Sequence, residues 1–112
     1  MAKKLFKNYT FTFDKNEKKI ITNFCTKAIS QMQSDEKFAR DVRAFESIIE
    51  KLNEGTEEVK FTKDEKIRLV HQLKENTKFI KQKMDKSFIL IRWLYKTMYN
   101  QYNNLLTKHF SD

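Results

Sequence analysis

The chain has 112 residues, the size of one small domain, and 23 Lys and Arg against 15 Asp and Glu give it a net charge of +8. Ten Phe, four Tyr and one Trp supply material for a core, which excludes a structureless or low-complexity chain. A single Cys excludes an internal disulfide and a Cys-rich metal framework, and it points to a reducing compartment.

Residues 1–7 lack the apolar core of a secretory signal. The densest apolar run, Phe88 to Leu94, is broken by Arg92 and falls far short of the roughly 20 residues of a membrane span. The expectation is a cytoplasmic protein with no transmembrane segment. Nineteen of the cations are Lys and four are Arg. Residues with A/T-rich codons (Lys, Asn, Phe, Ile, Tyr) far outnumber those with G/C-rich codons, so codon usage accounts for much of the Lys excess. The charge is uneven all the same. Residues 1–34 carry net +5, residues 35–65 net −4 and residues 66–108 net +8. Oppositely charged segments favour lying side by side, and the last block could steer anions.

In chain order, residues 8–13 alternate aromatic with polar, which is strand periodicity. Residues 57–61 give a weaker strand signal. The two either pair as a short ribbon or serve as extended lead-ins that lay aromatics on the helices. A first helix starts near Asp14, where Asp14 and Glu17 resemble a capping box. Ile20, Ile21, Phe24, Cys25, Ala28, Ile29 and Met32 fill a broad apolar face, wide enough for two neighbours. A second helix is expected from about Asp35 to Asn53, with Ser34 as N-cap. Its Phe38, Val42, Phe45, Ile49 and Leu52 are spaced like a coiled-coil seam. Glu36–Arg40 and Lys37–Asp41 are spaced as i,i+4 ion pairs. Gly55, the only Gly, sits where a left-handed residue ends a helix.

The third helix opens with Thr62-Lys63-Asp64-Glu65, a capping box by residue type and spacing. Val70, Leu73, Thr77, Ile80 and Met84 form its stripe. The fourth helix covers roughly Ser87 to His109, with a stripe of Ile91, Leu94, Tyr95, Met98, Tyr102, Leu105 and Leu106. Neither Gly nor Pro separates these two helices, and Asp85 or Ser87 would have to cap the second. A hairpin is favoured over a continuous rod, which would require a dimer to bury its ends. No internal repeat is apparent.

Candidate chemistry is sparse. His71 falls off its helix's stripe, and His109 lies near a fraying end. Neither begins a metal-ligand motif, and nothing places them together. Cys25 lies inside an apolar arc, where a thiol behaves as a small hydrophobe. No Gly-rich loop is present to cradle a nucleotide. No catalytic residue, metal ligand or cofactor is therefore assigned.

Two surfaces remain as candidates. Ile89 and Trp93 are i,i+4 neighbours pointing away from the fourth helix's stripe, and Phe88 and Leu90 widen the apolar surface. Either another part of the chain covers them or they anchor a partner, since Trp is enriched at interface hot spots. Lys74, Lys78 and Lys81 lie on one side of the third helix, and Lys83, Lys86, Arg92 and Lys96 cluster near the turn. Such a block could neutralise phosphates, although Lys stems beside a stripe also cover core. A row of Tyr95, Tyr99 and Tyr102 could stack bases, but reads more simply as core edge.

The expected fold is all-α: one helical domain, a compact bundle of three to four helices, with room for a minor two-stranded β ribbon. The expected function is a non-enzymatic interaction module, binding a protein partner or a second copy of itself through Ile89 and Trp93. The alternative is a nucleic-acid-binding accessory protein that uses Lys74, Lys78, Lys81, Arg92 and Lys96.

Overall fold

The structure is a computed structural model that describes residues 8–86 and 89–111. Among the described residues the protein is mainly α, with four α-helices and one two-stranded antiparallel ribbon. The order is β1 (Asn8–Thr12), α1 (Lys15–Met32), a 3-10 turn (Glu36–Phe38), α2 (Ala39–Leu52), β2 (Glu58–Thr62), α3 (Lys63–Asp85) and α4 (Ile89–His109). The chain divides into two compact units, the first ending at Leu69 and the second beginning at Val70.

In the first unit, the two weak strand signals do pair. Tyr9 stands opposite Phe61 and Phe11 opposite Val59. Side chains alternate between faces along a strand, so Val59 and Phe61 are buried while Glu58, Lys60 and Thr62 are exposed. Phe11 stacks on Phe13 with ring centroids 5.4 Å apart, and Phe61 tilts against both. The Lys66 ammonium lies 4.3 Å from the centroid of the Tyr9 ring, a cation–π contact.

α1 starts where its cap dictates. The Glu17 N–H donates to Asp14 Oδ1 at 2.7 Å, and the Asp14 N–H donates to Glu17 Oε1 at 2.9 Å. Ile21, Phe24, Cys25, Ala28 and Met32 are buried, and this face packs against α2. The start of α2 differs from expectation. Ser34 is not the cap. Asp35 accepts from the Lys37 N–H at 3.1 Å and nucleates a 3-10 turn, so the α-helix begins only at Ala39. The seam is also rotated. Ala44, Phe45, Ile48 and Leu52 are buried, whereas Phe38, Val42 and Ile49 are half-buried. A spacing pattern weighs only the large residues, and it passes over the small Ala44, which is buried. Gly55 has φ +77°, the left-handed conformation expected of it.

In the second unit, α3 and α4 are separate helices and not one rod. The Lys86 N–H closes a turn onto the Lys83 carbonyl at 3.2 Å, and Arg92 Nε donates to the Met84 carbonyl at 3.2 Å. Leu73, Thr77 and Ile80 are buried on α3, and Tyr102 and Leu105 on α4. Thr77 satisfies its hydroxyl on the Leu73 carbonyl at 2.7 Å. The first turns of the α4 stripe depart from expectation, since Ile91 and Leu94 are exposed. Ser87 and Phe88, and the side chain of Leu90, lie outside the described residues.

The element order reveals a repeat that residue identity hides. Strand, cap, helix, helix occurs twice. Phe13-Asp14-Lys15-Asn16-Glu17-Lys18 and Phe61-Thr62-Lys63-Asp64-Glu65-Lys66 occupy the same strand-to-helix corner. In the ribbon, Phe11 pairs with Val59, each two residues before the Phe that opens its strand-to-helix corner.

Candidate functional site

The first candidate surface lies on α4. Ile89 is 80% and Trp93 70% exposed, with Leu94 at 55% and Ile91 at 49%. At 100° per residue, these four side chains spread over more than half the circumference of the helix. Ile89 and Trp93 form one row along the axis. Arg92 and Lys96, both exposed, form the adjacent row. On α3, Phe79 is 55% exposed, with the Lys83 ammonium 5.3 Å from its ring centroid. The structure thus brings the sequence-predicted Ile89 and Trp93 to the surface together and sets cations beside them.

The second candidate is the lysine row. Lys74, Lys78 and Lys81 are all exposed on α3, and among the described residues none of them has a hydrogen bond or ion pair. Arg92 differs from them, because its guanidinium is engaged at the Met84 carbonyl. Tyr102 is buried, which pushes its phenol pKa up. Tyr95 and Tyr99 are half-buried. A buried Tyr102 cannot stack a base, so the tyrosine row is core edge.

Cys25 is fully buried, and burial pushes its thiol up to about 12. It is no thiolate at neutral pH. His71 is exposed and His109 half-buried. Among the described residues no three His, Cys, Asp or Glu side chains are grouped as metal ligands would be. No helix among them is long and apolar enough to cross a membrane.

A third feature, in the first unit, was not foreseen. Arg40, Arg43, Ala44 and Ser47 share one face of α2, and Thr62, Asp64, Glu65 and Arg68 begin α3. Together they line an open cleft of about 400 Å³. Its wall is fixed by the second capping box. The Glu65 N–H donates to Thr62 Oγ1 at 3.1 Å, and Glu65 Oε1 accepts from the Thr62 N–H at 2.9 Å. Glu65 is buried and also accepts from Lys51 Nζ and Ser47 Oγ, each at 2.6 Å. Burial raises the Glu65 pKa, but the hydrogen bonds from Lys51, Ser47 and Thr62 outweigh it and hold the carboxyl below its usual range.

Arg68 donates to Asp41 at 2.9 Å and to Asp64 at 3.0 Å, tying α2 to α3. This replaces the expected Lys37–Asp41 pair, and Lys37 instead sits 3.8 Å from Asp35. The 3-10 start turns residues 36–38 off the helical phase that an i,i+4 pair needs. Arg40 and Arg43 are exposed and make no hydrogen bond or ion pair among the described residues. One signal could have found this cleft. Three of the four Arg in a Lys-rich chain fall on it, two of them at i,i+3.

No protein-family model matches the chain, and comparisons with curated proteins and with solved structures give no match.

Proposed function

We propose that the chain is a non-enzymatic interaction module that docks through the open end of α4 onto a protein partner. The observation that carries this reading is the exposure of Ile89 and Trp93, one turn apart at 80% and 70%. Large apolar side chains left open side by side are the usual anchors of an interface. The adjacent Arg92 and Lys96 define what the partner must offer, an apolar groove with an acidic rim. A second copy meeting the same surface would set like charges together, so the partner is a different protein.

Trp93 is the only Trp, which makes it a reporter of its own site. Sedimentation of wild type and Trp93→Ala, with tryptophan emission across protein concentration, tests the reading. A monomer with red-shifted emission, and a partner recovered by wild type but lost with Trp93→Ala, supports it. Concentration-dependent association that Trp93→Ala abolishes replaces the partner with a second copy. Identical behaviour of the two proteins in every assay removes the site.

A second reading rests on the unpaired Lys74, Lys78 and Lys81. It makes the protein a nucleic-acid-binding accessory, with Arg92 and Lys96 extending the contact. Its mark is affinity that falls linearly in log salt. Charge reversal of the three lysines to Glu abolishes binding under this reading, and insensitivity to that change eliminates it.

A further inference from the structure

The cleft between α2 and the start of α3 has the makings of a site that neither reading uses. Its charges are already sorted. Asp64 and Asp41 are bound by Arg68, and Glu65 is bound by Lys51, Ser47 and the Thr62 N–H. Arg68 and Lys51 leave one carboxylate charge over, and against it stand Arg40 and Arg43, exposed on one face of α2 with no ion pair or hydrogen bond among the described residues, so the cleft is net cationic. Ala44 beside them adds only a methyl group, which leaves room in the cleft. The residue type matters too. Arg is the rare cation of this chain, four against nineteen Lys. Arg offers a planar fork of donors that fits tetrahedral oxyanions, where Lys offers a point charge.

We propose that this cleft binds a phosphate monoester dianion, held by Arg40 and Arg43. Two guanidinium forks without partners offer the donors that a phosphate monoester, with close to two negative charges at neutral pH, accepts from. The anchored Arg68 keeps the wall rigid, because its own carboxylate partners fix it. The group could be carried by a phosphorylated side chain or by a small phosphorylated metabolite, and the chemistry recognised is the same.

The test is a titration of the isotope-labelled 112-residue chain with inorganic phosphate, followed by amide and guanidinium NMR at constant ionic strength and about pH 7.5. Saturable shifts confined to residues around Arg40, Arg43 and Ser47 are expected. O-phosphoserine and AMP are titrated in parallel, and the tighter of the two identifies the source. Arg40→Gln and Arg43→Gln each weaken binding about tenfold or more, and the double variant abolishes it. Both side chains are exposed and unpartnered, so the variants fold, which circular dichroism verifies. Binding of O-phosphoserine and AMP also weakens at pH 5.5, because a monoester dianion takes up a proton near pH 6. The proposal is overturned if phosphate produces no saturable shift. It is equally overturned if the shifts follow ionic strength along Lys74, Lys78 and Lys81 and persist in the double variant.

Discussion

The two units spend similar apolar patterns differently. Among the described residues, thirteen buried apolar side chains lie at or before Leu69, drawn from the strand-to-helix corners and from both α1 and α2. From Val70 onward there are five, Leu73, Ile80, Tyr102, Leu105 and Phe110. Five of the six large exposed hydrophobics, Ile67 being the exception, lie in the second unit. The α4 stripe is as regular as that of α2, yet its first turns are open. A helical stripe states which side of a helix should be covered. It does not state over what length a neighbour will cover it.

The largest effect that probes this contrast is a pair of truncations. Phe45→Ala, in the closed unit, should cost about 3–5 kcal/mol, because the cavity adds to the lost transfer energy. Leu94→Ala, in the open stretch of α4, should change stability by no more than about 0.5 kcal/mol. Urea unfolding of both variants checks the pair. A large loss in Leu94→Ala would mean that the open end is covered after all.

The two capping boxes sharpen the same contrast. Glu65 is buried and triply held, whereas in the other box Asp14 is exposed and Glu17 half-buried. Glu65→Gln should cost about 2 kcal/mol, since it leaves Lys51 without its charged partner. Glu17→Gln should cost well under about 1 kcal/mol, because Gln also serves at that position. The sign with pH follows from the depressed Glu65 pKa. Its stabilisation is present above the ordinary value of 4.5 and is lost as pH falls through the folded value. The gap between wild type and Glu65→Gln should therefore close on acidification below pH 4.5, as measured by unfolding at stepped pH.

Smaller effects remain informative. Gly55→Ala should cost about 1 kcal/mol, purely from its positive φ, because an added Cβ meets no atom within 4 Å. Cys25 should resist thiol reagents in the native state and react only on unfolding, given burial and a thiol pushed up to about 12. Trp93→Ala should leave stability within about 0.5 kcal/mol of wild type while changing association. Equal protection of Trp93 and Cys25 from chemical modification would erase the contrast.

Much of the fold was legible in the residues. Thr62 and Glu65, Asp14 and Glu17, and the alternation at Tyr9, Phe11 and Phe13 are local features, set by hydrogen bonds and side-chain periods a few residues long. So is the burial of Cys25, inside an arc that no rotation could expose. The start of α2 was harder, because Ser34 and Asp35 compete for one capping role and backbone geometry decides. The repeat was hidden because its copies share a corner at Phe13 and Phe61 and little sequence beyond it. The open state of Ile89 and Trp93 had two sequence readings of comparable weight.

What the residues settled by themselves is which segments become helix or strand and, on the ribbon and α1, which face turns inward, since those depend on neighbours in the chain. What only tertiary structure decided is where cover ends and which distant charges meet. Arg68 reaching Asp41, Lys51 reaching Glu65, and Arg40 and Arg43 left without partners are outcomes of helix placement. Placement depends on the volumes packed between elements, such as Ala44, and no pattern of polarity along one helix encodes it.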